Sequence, residues 1–226
     1  MKILYISHCD SNDKRLLSGT IYYVKKMLAD QGNDIITIDD LRISYPYKLY
    51  KKGVAKITGK KTLIEREPFV LKSFARQLKR KTRGLDYDLV FAPTSLYFSY
   101  YIDEKPMVYY SDATFGGMVD YYIFRKDYSK RAIENGYDQE NRAIKNSDLI
   151  ILASEWAKTT AIKYHHADPE KCVVVNRGAN IKRSLNGIDI QNIINKRSAS
   201  NGTGECNFMC AGRTDQNAAG YELWRN

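Results

Sequence analysis

A chain of 226 residues that is 43% hydrophobic can bury a sizeable core, enough for one large domain and part of another. No apolar run approaches the ~20 residues of a membrane-spanning helix, and the opening Met1-Lys2-Ile3-Leu4-Tyr5-Ile6 meets polar residues too soon for a signal peptide, so a cytoplasmic location is expected. Lys and Arg outnumber Asp and Glu by 36 to 26, a formal charge of +10, which favours an anionic partner: a phosphate-bearing ligand, an acidic glycan, a membrane surface or nucleic acid.

In chain order, residues 3–7 read as a short buried strand, and residues 18–31 as a helix that places Ile21, Val24, Met27 and Leu28 on one face before Gly32-Asn33 breaks it. Residues 34–38 form a second strand. A basic stretch from Lys48 to Arg83 follows, its cations interleaved with Tyr47, Tyr50, Leu63, Phe69, Leu71 and Phe74. It reads either as a solvated helix face with a basic loop or as an amphipathic segment lying on anionic lipid. Its second half, 68–81, is helical. Further strands are expected at 88–92, 105–110, 148–153 and 171–176, with helices near 127–145 and 154–164. Short apolar runs alternating with helices imply an α/β domain, a doubly wound parallel sheet. The four cysteines, Cys9, Cys172, Cys206 and Cys210, lack the spacing of a zinc site, so they read as reduced thiols with no metal.

Ligands of such sheets sit beyond the carboxyl ends of the strands, where loops enter helix amino termini. After the first strand comes "SHCDSNDKRLLSGT", which contains His8 and ends in Ser18-Gly19-Thr20, where backbone N–H groups could hold a phosphate or sugar hydroxyls. It is neither Gly-x-Gly-x-x-Gly nor a P-loop, so it supports neither dinucleotide binding nor ATP hydrolysis. After the strand ending at Tyr110, Asp112 stands where it could orient a hydroxyl, act as a base or cap a helix, and Gly116-Gly117 permits close backbone approach. Ser154-Glu155 follows an apolar strand directly and reads as a helix cap or as part of the site. His165 and His166, at a helix end, read as surface residues. The aromatic run Tyr97 to Tyr101 and the charge raise nucleic-acid binding, but no recognised binding motif accompanies them.

The succession of "SGT", "VYYSDATFGGMVDYY", "AIKNSDLIILASEWAKTTAIKYH", "DPEKCVVVNRGAN" and "NFMCAGR" resembles the amino-terminal half of a family 4 glycosyltransferase, over nearly the whole chain. The resemblance implies a GT-B fold of two Rossmann-like domains facing across a cleft, the first for the acceptor and the second for a nucleotide-sugar donor such as a UDP- or GDP-sugar. It implies transfer with retention to a glycan or lipid-linked acceptor, without a metal or other cofactor. Carried over, Ser18 and Gly19 match the glycine loop near the acceptor and the donor phosphates; Thr20 and His8, in the same loop by position, are expected to bind acceptor with them. Asp112 is the polar strand end in the cleft and the candidate catalytic group. Glu155, with Ser154 and Trp156, closes the acceptor domain, and Gly178 and Asn180 form the turn toward the second domain. Gly212 and Arg213 open that domain, with Arg213 facing the donor diphosphate, a task for which a permanently charged fork is suited. Where Asn176 or Arg177 stands, the family usually has proline.

The resemblance also implies boundaries: an acceptor-side domain over 1–180, a linker over 181–205 that includes "RSASNGTGEC", and the start of a donor-binding domain over 206–226. The thirteen residues after Arg213 are too few for that domain, which needs a core of ~100 residues. A truncated or frame-shifted second domain, and a chain inactive by itself, are therefore expected. The alternative to truncation is a single-domain protein whose partner chain supplies the donor site, and the alternative to a transferase is a non-catalytic α/β module that binds a phosphorylated ligand or partner protein.

Overall fold

Lys2–Ile6 (β1) alternates its side chains between two buried surfaces: Ile3 and Tyr5 enter one apolar cluster, Leu4 and Ile6 the other. Both faces of the strand are dry, so it lies inside a sheet. The order is β2-β1-β3-β4-β5-β6, every neighbouring pair parallel, with β2 at Asp34–Ile38, β3 at Leu89–Ala92, β4 at Met107–Ser111, β5 at Leu149–Leu152 and β6 at Cys172–Val174. This is the parallel α/β, Rossmann-like sheet that the alternating pattern implies. The structure, a computed structural model, describes residues 1–7, 9–43, 53, 56, 59–178, 191, 192, 194 and 195. The chain divides into two units, Met1–Asn180 and Ile181–Asn226, and all of these elements belong to the first.

Helix α1 (Thr20–Asp30) covers one face of the sheet through Ile21, Val24 and Leu28. The other face receives Leu78 from α2 (Pro68–Lys81), Ala143 and Ile144 from α4 (Lys130–Lys145), and Ala157 and Ala161 from α5 (Glu155–His165). A one-turn helix, α3 (Phe115–Met118), lies between β4 and α4. Among the described residues, α1 alone contributes helix side chains to its face. Met27, expected on the buried stripe, is therefore 54% exposed, and Val173 and Val175 are about half exposed.

Two further expectations change. On α2, Leu71 and Phe74 are fully buried in the core, while Phe69 and Ala75 stay half-buried and line a surface hollow with Lys72, Arg76 and Tyr100. The upstream residues 44–52, 54, 55, 57 and 58 lie outside the described residues, except that Gly53 and Lys56 are described as helical. In the 97–101 run, Phe98 and Tyr101 are buried, Tyr97 meets Phe74 edge-on at 4.4 Å, and half-buried Tyr100 is covered by the Arg142 guanidinium at 4.7 Å, so the run serves packing and forms no open row of rings for nucleic acid. His165 is 4% exposed and not on the surface, because α3 packs directly against it; His166, in a left-handed conformation, ends the helix.

Candidate functional site

The loops after β1, β3, β4 and β6 converge at the carboxyl edge of the sheet. After β1, the chain enters α1 through Leu17, Ser18 and Gly19, all left-handed, with φ of +48°, +54° and +76°. Only glycine fits at position 19: a Cβ there would meet the Tyr23 ring at 2.9 Å and the Lys14 carbonyl at 3.1 Å. No side chain caps α1. Its first turn faces a hollow of about 260 Å³ lined by Leu17, Ser18, Thr20, Pro93, Asp112 and Arg177, together with Ile21. The Thr20 N–H is taken by the Leu17 carbonyl, while the helix dipole favours an anion or hydroxyl oxygens at that end.

Asp112 follows β4 by one residue, and its carboxylate accepts a hydrogen bond from Arg177 Nη1 at 2.8 Å. Arg177 Nε donates to the Tyr110 hydroxyl at 2.9 Å, and the guanidinium stacks over the Tyr110 ring at 5.2 Å. Held at two points, the Arg177 fork fixes the orientation of Asp112 while leaving that side chain 63% exposed. On the far side of Arg177 a larger apolar hollow, about 460 Å³, opens between α1 and the sheet and includes Met27, Val24, Phe91, Ile151 and Val175.

Ser18, Thr20 and Asp112 thus come together, with Gly19 as the hinge of the first loop. Glu155 does not line the hollow; it is exposed in the first turn of α5, where Ser154 Oγ caps the helix by accepting from the Ala157 N–H at 3.2 Å. Gly116 and Gly117 make their close approach to α5: a Cβ on Gly116 would meet Tyr164 at 2.5 Å, and one on Gly117 would meet Thr160 at 3.0 Å. Gly178 borders the larger hollow. His8, Asn180, Gly212 and Arg213 lie outside the described residues. In the sequence Arg177 stands out only as a departure from a family pattern. Its position three residues beyond β6 puts it under the same strand-end rule that singled out Asp112.

Beneath the site, on the α4 side of the sheet, Glu140 is buried and accepts from Ser95 Oγ at 2.6 Å and from the Tyr109 hydroxyl at 2.5 Å, with Arg66 4.0 Å away. Burial pushes the Glu140 carboxyl up, and the Arg66 charge opposes that shift. His165 Nε2 accepts the Gly116 N–H at 2.9 Å, so Nδ1 carries the proton and donates to Asn141 Oδ1 at 2.7 Å. Burial first, and the nearby Arg66 charge second, push this imidazole down to about 4. Among the described residues no group of His, Cys, Asp and Glu side chains is arranged to hold a metal, and no helix is long and apolar enough to cross a membrane.

The model of Glycosyltransferase Family 4 matches residues 19–183. No curated protein matches the chain at a significant level. Among solved structures, Anabaena HepE in complex with UDP-glucose is 14% identical over 89% of this chain and 50% of its own, with a TM-score of 0.38. Sucrose-phosphate synthase from Thermosynechococcus elongatus is 14% identical over 88% of this chain and 99% of that one, with a TM-score of 0.43. A glycosyltransferase from Rickettsia africae is 14% identical over 89% and 50%, with a TM-score of 0.36. The chain spans about half the length of HepE.

Proposed function

The chain belongs to Glycosyltransferase Family 4, and from that premise we propose that residues 1–180 form the acceptor-side half of a GT-B enzyme. It moves a sugar, with retention, from a UDP- or GDP-sugar to a glycan or lipid-linked acceptor. The observation that supports this reading is the convergence of Ser18, Thr20, Asp112 and Arg177 around one hollow at the carboxyl edge, within the span of the family match. As the sugar leaves the nucleotide, negative charge builds on the diphosphate and positive charge on the anomeric carbon. The amino end of α1 and the Arg177 guanidinium suit the first, and the exposed Asp112 carboxylate suits an incoming hydroxyl or the second. In this reading, residues 181–205 are a linker, and 206–226 with Gly212 and Arg213 begin the donor side. Donor binding then depends on the second domain.

The test is a screen of sugar nucleotides on a form with a complete donor-binding domain, followed by Asp112→Ala. Loss of a group that touches the acceptor is expected to lower kcat by ~100-fold or more with the donor Kd unchanged. Full turnover in the variant would remove Asp112 from the chemistry. A second reading, a non-catalytic module for a phosphorylated ligand, is favoured by the juxtaposition of Arg177 and the uncapped α1. Phosphate-ester binding with no transfer from any donor in the two-domain form would establish it.

A further inference from the structure

Large aromatic side chains are expensive to leave in water, yet Tyr121, Tyr122 and Phe124 are 66%, 70% and 47% exposed on the loop between α3 and α4. The loop is held by its backbone: the N–H groups of Tyr122 and Ile123 both donate to the Met118 carbonyl, at 2.8 and 3.0 Å, and Asp120 N–H donates to the Ile123 carbonyl at 2.9 Å. Ile123 turns inward to pack with Phe115, Val119 and Ile133. The three aromatics are therefore presented outward by a fixed turn. Six cations, Lys60, Lys61, Arg125, Lys126, Lys130 and Arg131, lie on the same and adjoining segments; Arg125 pairs with Asp120, Lys130 with Glu134 and Arg131 with Glu67, and Asp127 is the other acid of the loop. Lys61 and Lys126 lie over the rings of Tyr128 and Phe124 and form no ion pair among the described residues.

Position follows from topology. Helix α4 runs back from the carboxyl edge to the start of β5, and its Glu140 already reaches Ser95, three residues past the end of β3. The helix turns before Glu140, and the loop that feeds them, therefore extend beyond the carboxyl edge, on the side of the molecule where the hollow opens.

We propose that the Tyr121–Tyr122–Phe124 tip, with its flanking lysines and arginines, is the surface by which this protein docks on an anionic lipid bilayer. Amphipathic aromatic rings settle at the headgroup level, and cations around them are drawn to anionic headgroups. A glycan fits less well: Tyr121 and Tyr122 meet edge to face at 82°, so they form no flat shared platform for a sugar ring, and neither lines the two hollows at the site. On α2, Leu71 and Phe74 are buried and Phe69 and Ala75 are half-buried among its lysines and arginines, so that helix contributes mainly long-range attraction and the tip contributes insertion. This rests on the exposed loop alone and holds whichever sugar is transferred, so its failure leaves the proposed activity standing.

Co-sedimentation of the full chain with vesicles of phosphatidylglycerol and phosphatidylcholine in equal parts tests it. Binding that weakens with salt is expected, and Tyr121→Ser/Tyr122→Ser/Phe124→Ser is expected to weaken it by ~10-fold or more. Lys72→Gln/Arg76→Gln/Lys79→Gln/Arg80→Gln should lose less. Independently of any effect on folding, Tyr122→Trp should gain blue-shifted emission over the parent on vesicle addition and be quenched by brominated phosphatidylcholine. Unchanged binding by the serine variant, no binding by the parent, or an unquenched Trp would each overturn the proposal. So would retardation of the parent in a dextran gel that the serine variant loses, which would make the tip a glycan surface.

Discussion

His165 couples a buried ring to the acidity of the medium. Its folded value of about 4 lies below the ordinary 6.5, because burial and Arg66 disfavour the charged ring and because Nε2 must stay bare to accept the Gly116 N–H. Between those two pH values the unfolded chain binds more protons than the folded one, so stability rises with pH across that window. The contribution is complete above about pH 6.5 and drains away toward pH 4, amounting to ~3 kcal/mol at most. Glu140, raised by burial, works in the opposite sense near its own range. His165→Gln is therefore expected to destabilise the protein at pH 7 by ~1–3 kcal/mol, the cost of leaving buried hydrogen-bonding groups unpaired, and to flatten the pH dependence between 4 and 6.5. Urea unfolding at pH 5 and pH 7 measures both. An unchanged slope in the variant would show that another group carries the acid sensitivity.

At the scale of elements, most of the sheet was legible because both faces of a central parallel strand are apolar and turn residues punctuate it. The 68–81 helix appears as expected, and the others shift by one to three residues. The helix expected from 127 begins at Lys130, after a 3-10 turn at Arg125–Asp127, because Ser129 supplies the cap by accepting from the Ala132 N–H. Legibility fails where tertiary packing decides. A histidine at a helix end looks like a surface residue until α3 lands on it, and nothing local shows that Gly116 and Gly117 face a helix and not a ligand. The strand-end rule finds Ser18, Thr20 and Asp112, and Arg177, three residues past β6, falls under the same rule.

The same limit hides the contacts between elements. Glu140 on α4 joins the turn at Arg66, Ser95 after β3 and Tyr109 in β4, four segments spread over 75 positions of sequence. Arg66 also stacks over the Phe115 ring at 4.6 Å and donates to Gln139. Removing one member leaves the other charge buried and uncompensated, so Glu140→Ala is expected to cost ~3–5 kcal/mol. If the pair acts as a unit, Arg66→Leu/Glu140→Gln together cost less than the sum of the two single changes. Thermal or denaturant unfolding of the three variants completes the cycle, and simple additivity would mean the two residues are energetically independent.

For the molecule as a whole, the decisive property is that, among the described residues, the sheet and the helices that cover it lie within Met1–Asn180. All six strands, the helices that cover them and the buried Glu140 network lie there. A unit with its own core is expected to unfold cooperatively without the rest of the chain. Residues 1–180 expressed alone should thus keep a single melting transition and the slow amide exchange of β1, β3 and β4. Function should not survive in the same way. In the proposed division of labour the unit holds the acceptor hollow, while the donor is gripped mainly by a second domain. A ligand at 100 times its Kd raises stability by about 2.7 kcal/mol. UDP or GDP at concentrations that saturate a two-domain form should therefore raise the melting temperature of that form clearly and leave residues 1–180 unmoved. Melting both proteins with and without each nucleotide decides it. Equal stabilisation of the two would show that residues 1–180, through the α1 and Arg177 end, suffice to hold the nucleotide, and would overturn the assignment of the main donor grip to the second domain.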